Sequence, residues 1–294
     1  MSESLATPEP DLLDIDGERI ATWRLGRTDE AAPPLVLCHG TPWSAAVWMP
    51  VAQRLASQYR LYLWDMPGYG RSIAESGTGE AEPGAVPPAV DLVAQRRRFA
   101  ALLDHWGLDR PHVLAHDIGG AVALGAHLLE DREFASLLLL DVVTLDPWGS
   151  SFFRVVAQNE SVFSAIPPAL HAALVREYIR GAGGTGLDPA HVEALATPWL
   201  SEAGGPAFYR QIAALDPAHT VPIVERLGAV RCPVRVFWGE DDPWIPVDQA
   251  SALARRLPGD PQVVTFPGAG HLVPLEATEA FVARFREWFR DLVV

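Results

Sequence analysis

Short apolar runs recur through the chain: PPLVLC, YRLYLW, HVLAH, FASLLLL, CPVRVFWG and PQVVTF. Longer stretches of helical spacing separate them. Runs without a polar face read as strands covered on both sides. Their alternation with helices points to a mostly parallel sheet with helices packed on each face. Ahead of them, DLLDID and RIATWRLG read as an antiparallel hairpin turning at Asp16-Gly17, for an expected sheet of eight strands. Helices are expected from about Ala45 to Ser57, from about Val90 to Trp106, after Gly119, and from about Thr278 to Leu292.

Two segments break the alternation. GTGEAEPGAVPP, from Gly77 to Pro88, is rich in Gly, Pro and Glu and reads as an exposed, mobile loop. Between Asp146 and Val221 the strand pattern stops, and pieces such as PPALHAALVREYIRG and DPAHVEALATPWL are helical. The expected organisation is a core in two parts, residues 1–145 and 223–294, with a helical lid at 146–222. Such a lid would overlie the carboxyl ends of the strands, where open α/β sheets carry their sites.

Charge and composition narrow the partners. The 294 residues carry a formal charge of −14, which argues against nucleic acid or an anionic membrane surface. MSESLATPEPDLL lacks the basic start and apolar core of a signal peptide, and FASLLLLDVVTL is too short to span a membrane. The expectation is a cytoplasmic protein acting on a small hydrophobic molecule, with a homodimer left open. Cys38 and Cys232 each fall in an apolar run and read as buried thiols on strands.

The chemistry centres on VLAHDIGGAVAL, Val113 to Leu124, a strand, a sharp turn and a helix. Nucleophile elbows follow G-x-S-x-G, and here the register is Ala115-His116-Asp117-Ile118-Gly119. Asp117 stands at the nucleophile position, although a carboxylate before a helix is also a common N-cap. Three other stretches decide between these. CHGTPW follows a strand and offers a backbone N–H at Thr41, to pair with that of Ile118 as an oxyanion hole. FWGEDDPWIP places Asp242 after a strand, where it can orient a histidine, with Asp241 read as a solvated charge. FPGAGHLVPLE supplies that histidine, His271, and completes the order nucleophile–acid–base. His39 reads as a structural hydrogen-bonding residue.

HGTPW, DMPGYGRS, HDIGG, GEDDPWIP and GAGH together resemble the α/β-hydrolase family, in its epoxide hydrolase and haloalkane/haloacetate dehalogenase branch. The resemblance covers nearly the whole chain. It implies an eight-stranded, mostly parallel sheet with helices on both faces and a helical lid, and a mechanism with no metal and no organic cofactor. An aspartate is suited to attack a saturated carbon, forming an alkyl ester that His271-activated water then opens at the Asp117 carbonyl carbon.

Within the branch the leaving group separates the readings. Haloalkane dehalogenases in the family use Trp after the nucleophile, and haloacetate dehalogenases use Arg; this chain has Ile118. Epoxide hydrolases use lid tyrosines, and PAFYRQ resembles the second of these motifs, making Tyr209 the expected acid. The first would fall in SFFRVVAQNE, which holds Phe152 and Phe153 instead, so Trp148 or Tyr178 is the candidate second donor. Trp43, Trp148, Phe152, Phe153, Tyr178, Trp199 and Trp244 are expected near the mouth, suiting a hydrophobic, aromatic or polycyclic substrate. The leading expectation is an epoxide hydrolase. A dehalogenase using the same triad is the alternative, followed by an atypical natural-product hydrolase or lyase, or a ligand-binding member.

Overall fold

The computed structural model describes residues 4–75, 89–185 and 187–293. The expected loop from Gly77 to Pro88 lies outside them. Eight strands form one sheet: β1 (Asp11–Ile15), β2 (Glu18–Gly26), β3 (Pro34–Cys38), β4 (Arg60–Trp64), β5 (His112–His116), β6 (Ser136–Leu140), β7 (Val234–Gly239) and β8 (Val263–Phe266). Their order is β1-β2-β4-β3-β5-β6-β7-β8. β1 and β2 form the expected hairpin, and β2 runs antiparallel to β4. Every later pairing is parallel.

The register brings the site together. Cys38 pairs with Ala115, and His116 pairs with Leu140. The carboxyl ends of β3, β5 and β6 are therefore level, and the residues just past them meet at one rim. β5 and β6 lie mid-sheet with helices over both faces, so Val113, Leu114 and Leu137 to Leu140 are buried. Each such aliphatic side chain stabilises the fold by roughly 1.5–3 kcal/mol.

Local chemistry shifts several expected boundaries. The segment expected as one helix from Ala45 divides into a 3-10 turn, Ala45–Trp48, capped by Ser44, and an α-helix, Met49–Leu55. Pro50 is tolerated there because it falls in the first turn, where its missing N–H is no loss. The next helix starts at Leu92, since the Asp91 side chain accepts from the amides of Val93 and Ala94. Cys38 is buried as the last residue of β3, whereas Cys232 precedes β7 and is half-buried.

Among the described residues between β6 and β7 the regular structure is all helical, including Ser151–Gln158, Pro168–Arg180, Pro189–Ala196 and Gly204–Ala213. This stretch is tied to the sheet's carboxyl rim at separate points. The Trp199 indole donates to the Pro42 carbonyl (2.8 Å), and the His271 amide donates to the Ala182 carbonyl (2.9 Å). Among the described residues no helix is long and apolar enough to cross a membrane.

Candidate active site

Asp117 occupies the turn between β5 and the helix Ile118–Leu129 with φ 54° and ψ −127°. A non-glycine residue held there is strained, and neighbouring backbone bonds fix it: its carbonyl accepts from the amides of Gly120 (2.9 Å) and Val143 (3.1 Å). Its side chain makes no capping bond to the helix, so the N-cap reading fails. The turn also needs close backbone approach. A Cβ at Gly40 would overlap the Asp117 carboxylate, and one at Gly119 would overlap the His39 carbonyl.

The carboxylate is buried at 3% exposure and is met on one oxygen from two sides. The Thr41 amide donates to Asp117 Oδ2 at 2.6 Å, and His271 Nε2 stands 3.8 Å from the same atom. Burial raises the Asp117 pKa, against the lowering effect of His271 and the Thr41 amide. The side chain of Ile118 lines the space above Asp117.

On its far side, His271 Nδ1 lies 2.8 Å from Asp242 Oδ2. The second Asp242 oxygen accepts from the amides of Trp244 (2.8 Å) and Ile245 (3.0 Å), which fixes the carboxylate's orientation. Asp241 is exposed. Burial alone would depress the His271 imidazolium. The Asp242 charge and bond, with Asp117 on the other side, overcome it and raise the pKa well above the usual histidine range. His116 Nε2 faces the His271 carbonyl at 2.8 Å; a carbonyl only accepts, so that nitrogen carries the proton.

His39 has both ring nitrogens committed, Nδ1 to the Gly40 carbonyl (2.7 Å) and Nε2 to the Met66 amide (2.9 Å), and burial lowers it to about 4. A further buried carboxylate, Asp141 just past the end of β6, accepts from the Gly239 amide (2.8 Å), and burial holds it well above the usual carboxylate range. Among the described residues no group of three His, Cys, Asp or Glu is placed to hold a metal.

A cavity of about 50 Å³ lies over Asp117. Of the expected residues, Thr41, Ile118, Trp148, Phe153, Tyr178 and Trp244 line it, joined by Val143 and Ile245. Among the described residues, no Arg, Lys or His lines it. Trp43 does not line it but stacks beneath Trp244 (5.5 Å between ring centroids), and Phe152 packs against Tyr178 (5.1 Å) and Phe163 (5.9 Å).

Tyr209, the expected acid, is not among the described residues that line this cavity. Its hydroxyl lies 2.8 Å from His171 Nδ1, while His171 Nε2 faces the Trp199 carbonyl at 2.9 Å. Nε2 must therefore carry the ring proton, Nδ1 accepts, and the Tyr209 O–H is consumed. Tyr178 is the tyrosine at the cavity, and burial, the Asp117 charge and Tyr69 push its phenol well above the usual range. Val143, Asp141, Tyr69 and Gln211 carry no local pattern that marks them as part of a site.

Residues 33–278 match the family model described as alpha/beta hydrolase fold. The chain belongs to this family. A crystal structure of an alpha/beta hydrolase fold protein from Burkholderia ambifaria is 39% identical, with a TM-score of 0.86 over 97% of this chain and 99% of that one. The 2-hydroxy-6-oxo-6-phenylhexa-2,4-dienoate hydrolase of Burkholderia cepacia is 22% identical across 96% of each chain. Haloalkane dehalogenase DbeA from Bradyrhizobium elkani is 17% identical with a TM-score of 0.78 over 96% of this chain and 97% of its own, a likeness of fold. This α/β-hydrolase is thus similar in fold to enzymes of several chemistries, and its own chemistry must be argued from its residues.

Proposed function

We propose that this α/β-hydrolase opens small, uncharged epoxides to diols through an ester on Asp117. The observation that carries the reading is a carboxylate at the strained elbow, bonded by the Thr41 amide and facing His271. Attack by that carboxylate on an ester would give an anhydride, whereas attack on a saturated carbon gives a stable alkyl ester.

In the first step Asp117 Oδ1 bonds to the epoxide carbon as the C–O bond breaks, and the Tyr178 hydroxyl protonates the leaving oxygen. The His271 imidazolium returns a proton to the Tyr178 phenolate and becomes neutral. Esterification has by then removed the Asp117 charge that helped hold the imidazolium proton. Neutral His271 next takes a proton from water, and the hydroxide attacks the Asp117 carbonyl carbon. The amides of Thr41 and Ile118 hold the oxyanion. Collapse expels the diol alkoxide, which takes the proton of the Asp117 carboxyl, restoring the starting ions.

The helices between β6 and β7 serve as the lid, at 146–222, and supply Trp148, Phe153 and Tyr178 to the cavity. The absence of a basic lining residue speaks for an uncharged substrate rather than a haloacetate. A volume of about 50 Å³ takes roughly three to five heavy atoms, which favours short aliphatic substrates over aromatic or polycyclic ones. Halide release is the second reading. It is supported by the Trp244 indole at the cavity, 5.1 Å from His271. Against it, the Trp148 indole already donates to Thr220 Oγ1 (3.1 Å). Incubation with 1,2-epoxypropane and with 1-chloropropane, scoring diol against free chloride, tests the choice: diol alone is expected, and chloride alone would reverse it.

A further inference from the structure

Gln211 is wholly buried on the helix Gly204–Ala213, within the proposed lid. Its Oε1 accepts from two hydroxyls, Thr41 Oγ1 at 2.6 Å and Tyr69 Oη at 2.8 Å. Those lengths suit O–H···O bonds, so the amide presents its oxygen to both groups. Its Nε2 is buried without a hydrogen-bond partner. The reverse orientation would give that nitrogen two acceptors and release both hydroxyl protons.

Thr41 adjoins the candidate nucleophile, and the Tyr69 hydroxyl meets that of Thr41 at the shared Gln211 oxygen. Thr41 already touches Asp117 through its amide, and the Tyr69 phenol is raised by burial and by the Asp117 charge. Each added hydroxyl donor stabilises a carboxylate and makes it a weaker nucleophile. We propose that Gln211 is a positioning residue that holds the Thr41 and Tyr69 hydroxyl protons away from the Asp117 carboxylate. Asp117 then keeps a single strong donor, the Thr41 amide on Oδ2, and a bare Oδ1. Because Gln211 belongs to the helical segment, and Trp199 ties that segment to Pro42 in the Thr41 loop, the strength of the nucleophile depends on those helices being seated. This role rests on the alkyl-ester reading of Asp117.

The test isolates ester formation in a His271→Gln background, using 1,2-epoxypropane, rapid quenching and mass measurement of the Asp117 peptide. Gln211→Leu frees both hydroxyls to turn to Asp117 and is expected to slow ester formation roughly 10- to 100-fold. It also moves the acid limb of the rate profile to lower pH, because the carboxylate gains donors. Adding Thr41→Val and Tyr69→Phe, which delete the hydroxyls but keep the Thr41 amide, recovers most of the loss. Gln211→Met repeats the comparison if the leucine variant does not fold. Ester formation at the parent rate in Gln211→Leu, or a slow rate that hydroxyl deletion does not restore, overturns the role and leaves the ester chemistry standing. No ester in the parent background overturns both.

Discussion

His271 Nε2 stands 3.8 Å from Asp117 Oδ2 while its other nitrogen is held by Asp242. That gap is too long for a hydrogen bond and leaves the base beside the carbonyl that an ester on Asp117 would present. Replacing the base separates the two halves of the proposed cycle. His271→Gln should form the Asp117 ester and fail to hydrolyse it, with turnover down by about 10²–10⁴-fold. Intact-mass measurement after exposure to 1,2-epoxypropane should show the protein heavier by one substrate. An unmodified mass would count against a base that acts after the covalent step.

The acid assignment predicts a contrast between two tyrosines. Tyr178→Phe removes the one tyrosine hydroxyl that the described residues bring to the cavity and should slow ester formation by about 10²–10⁴-fold. Tyr209→Phe should leave that step near the parent rate, but it strands the buried acceptor His171 Nδ1 and destabilises the fold by about 1–3 kcal/mol. Quench kinetics and urea unfolding of both variants check the pair. The reverse pattern would return the role to Tyr209.

Ester hydrolysis should depend on pH through His271. Its raised pKa reflects Asp242 and Asp117 together, and esterification removes the Asp117 share while burial still lowers it. Only the neutral ring accepts a proton from water, so hydrolysis rises with pH and the ester accumulates on the acid side. Single-turnover quenching across pH measures this. Ester that builds up at alkaline rather than acid pH would contradict the assignment.

Asp65 gives a pH effect on stability that is independent of catalysis. It is buried and accepts from the amides of Ala45 (2.6 Å) and Arg71 (2.7 Å), and burial raises it from 3.8 to about 7. The folded state therefore binds this proton more tightly than the unfolded chain does. Its contribution is fully present below pH 3.8 and is lost as pH rises to about 7, with a limiting slope of roughly 1.4 kcal/mol per pH unit. In Asp65→Asn the stability difference between pH 5 and pH 8 should shrink, as urea unfolding at both values would reveal. An unchanged difference would mean Asp65 does not titrate in this window.

The cavity wall sets a size limit that one residue can move. Phe153→Ala opens the space beside Tyr178 and should raise kcat/KM for styrene oxide relative to 1,2-epoxypropane by about 10-fold. A panel assay of parent and variant measures the ratio. If the parent already prefers styrene oxide, the small cavity does not govern selection.

Much of the fold was legible because strand positions follow from apolar runs buried on both faces. Val113, Leu114 and Leu137 to Leu140 carry that signal without ambiguity. The positions of Asp117, Asp242 and His271 were legible too, since each follows a strand at the rim and the parallel register brings those ends together. The helical segment was harder. Whether Tyr178 or Tyr209 faces Asp117 depends on how short helices pack on one another, and nothing local to REYIR or AFYRQ encodes it. Gln211 was invisible for the same reason, since its partners Thr41 and Tyr69 lie far from it in the chain.

In the proposed cycle Asp117 carries the substrate as an ester and water attacks the aspartyl carbon. A single turnover with excess enzyme in ¹⁸O-water, followed by mass analysis of the peptide containing Asp117, measures this directly. One heavy oxygen is expected in the Asp117 carboxylate, and none in the diol, after that turnover. Heavy oxygen in the diol with an unlabelled Asp117 would show direct attack of water on the substrate and contradict it.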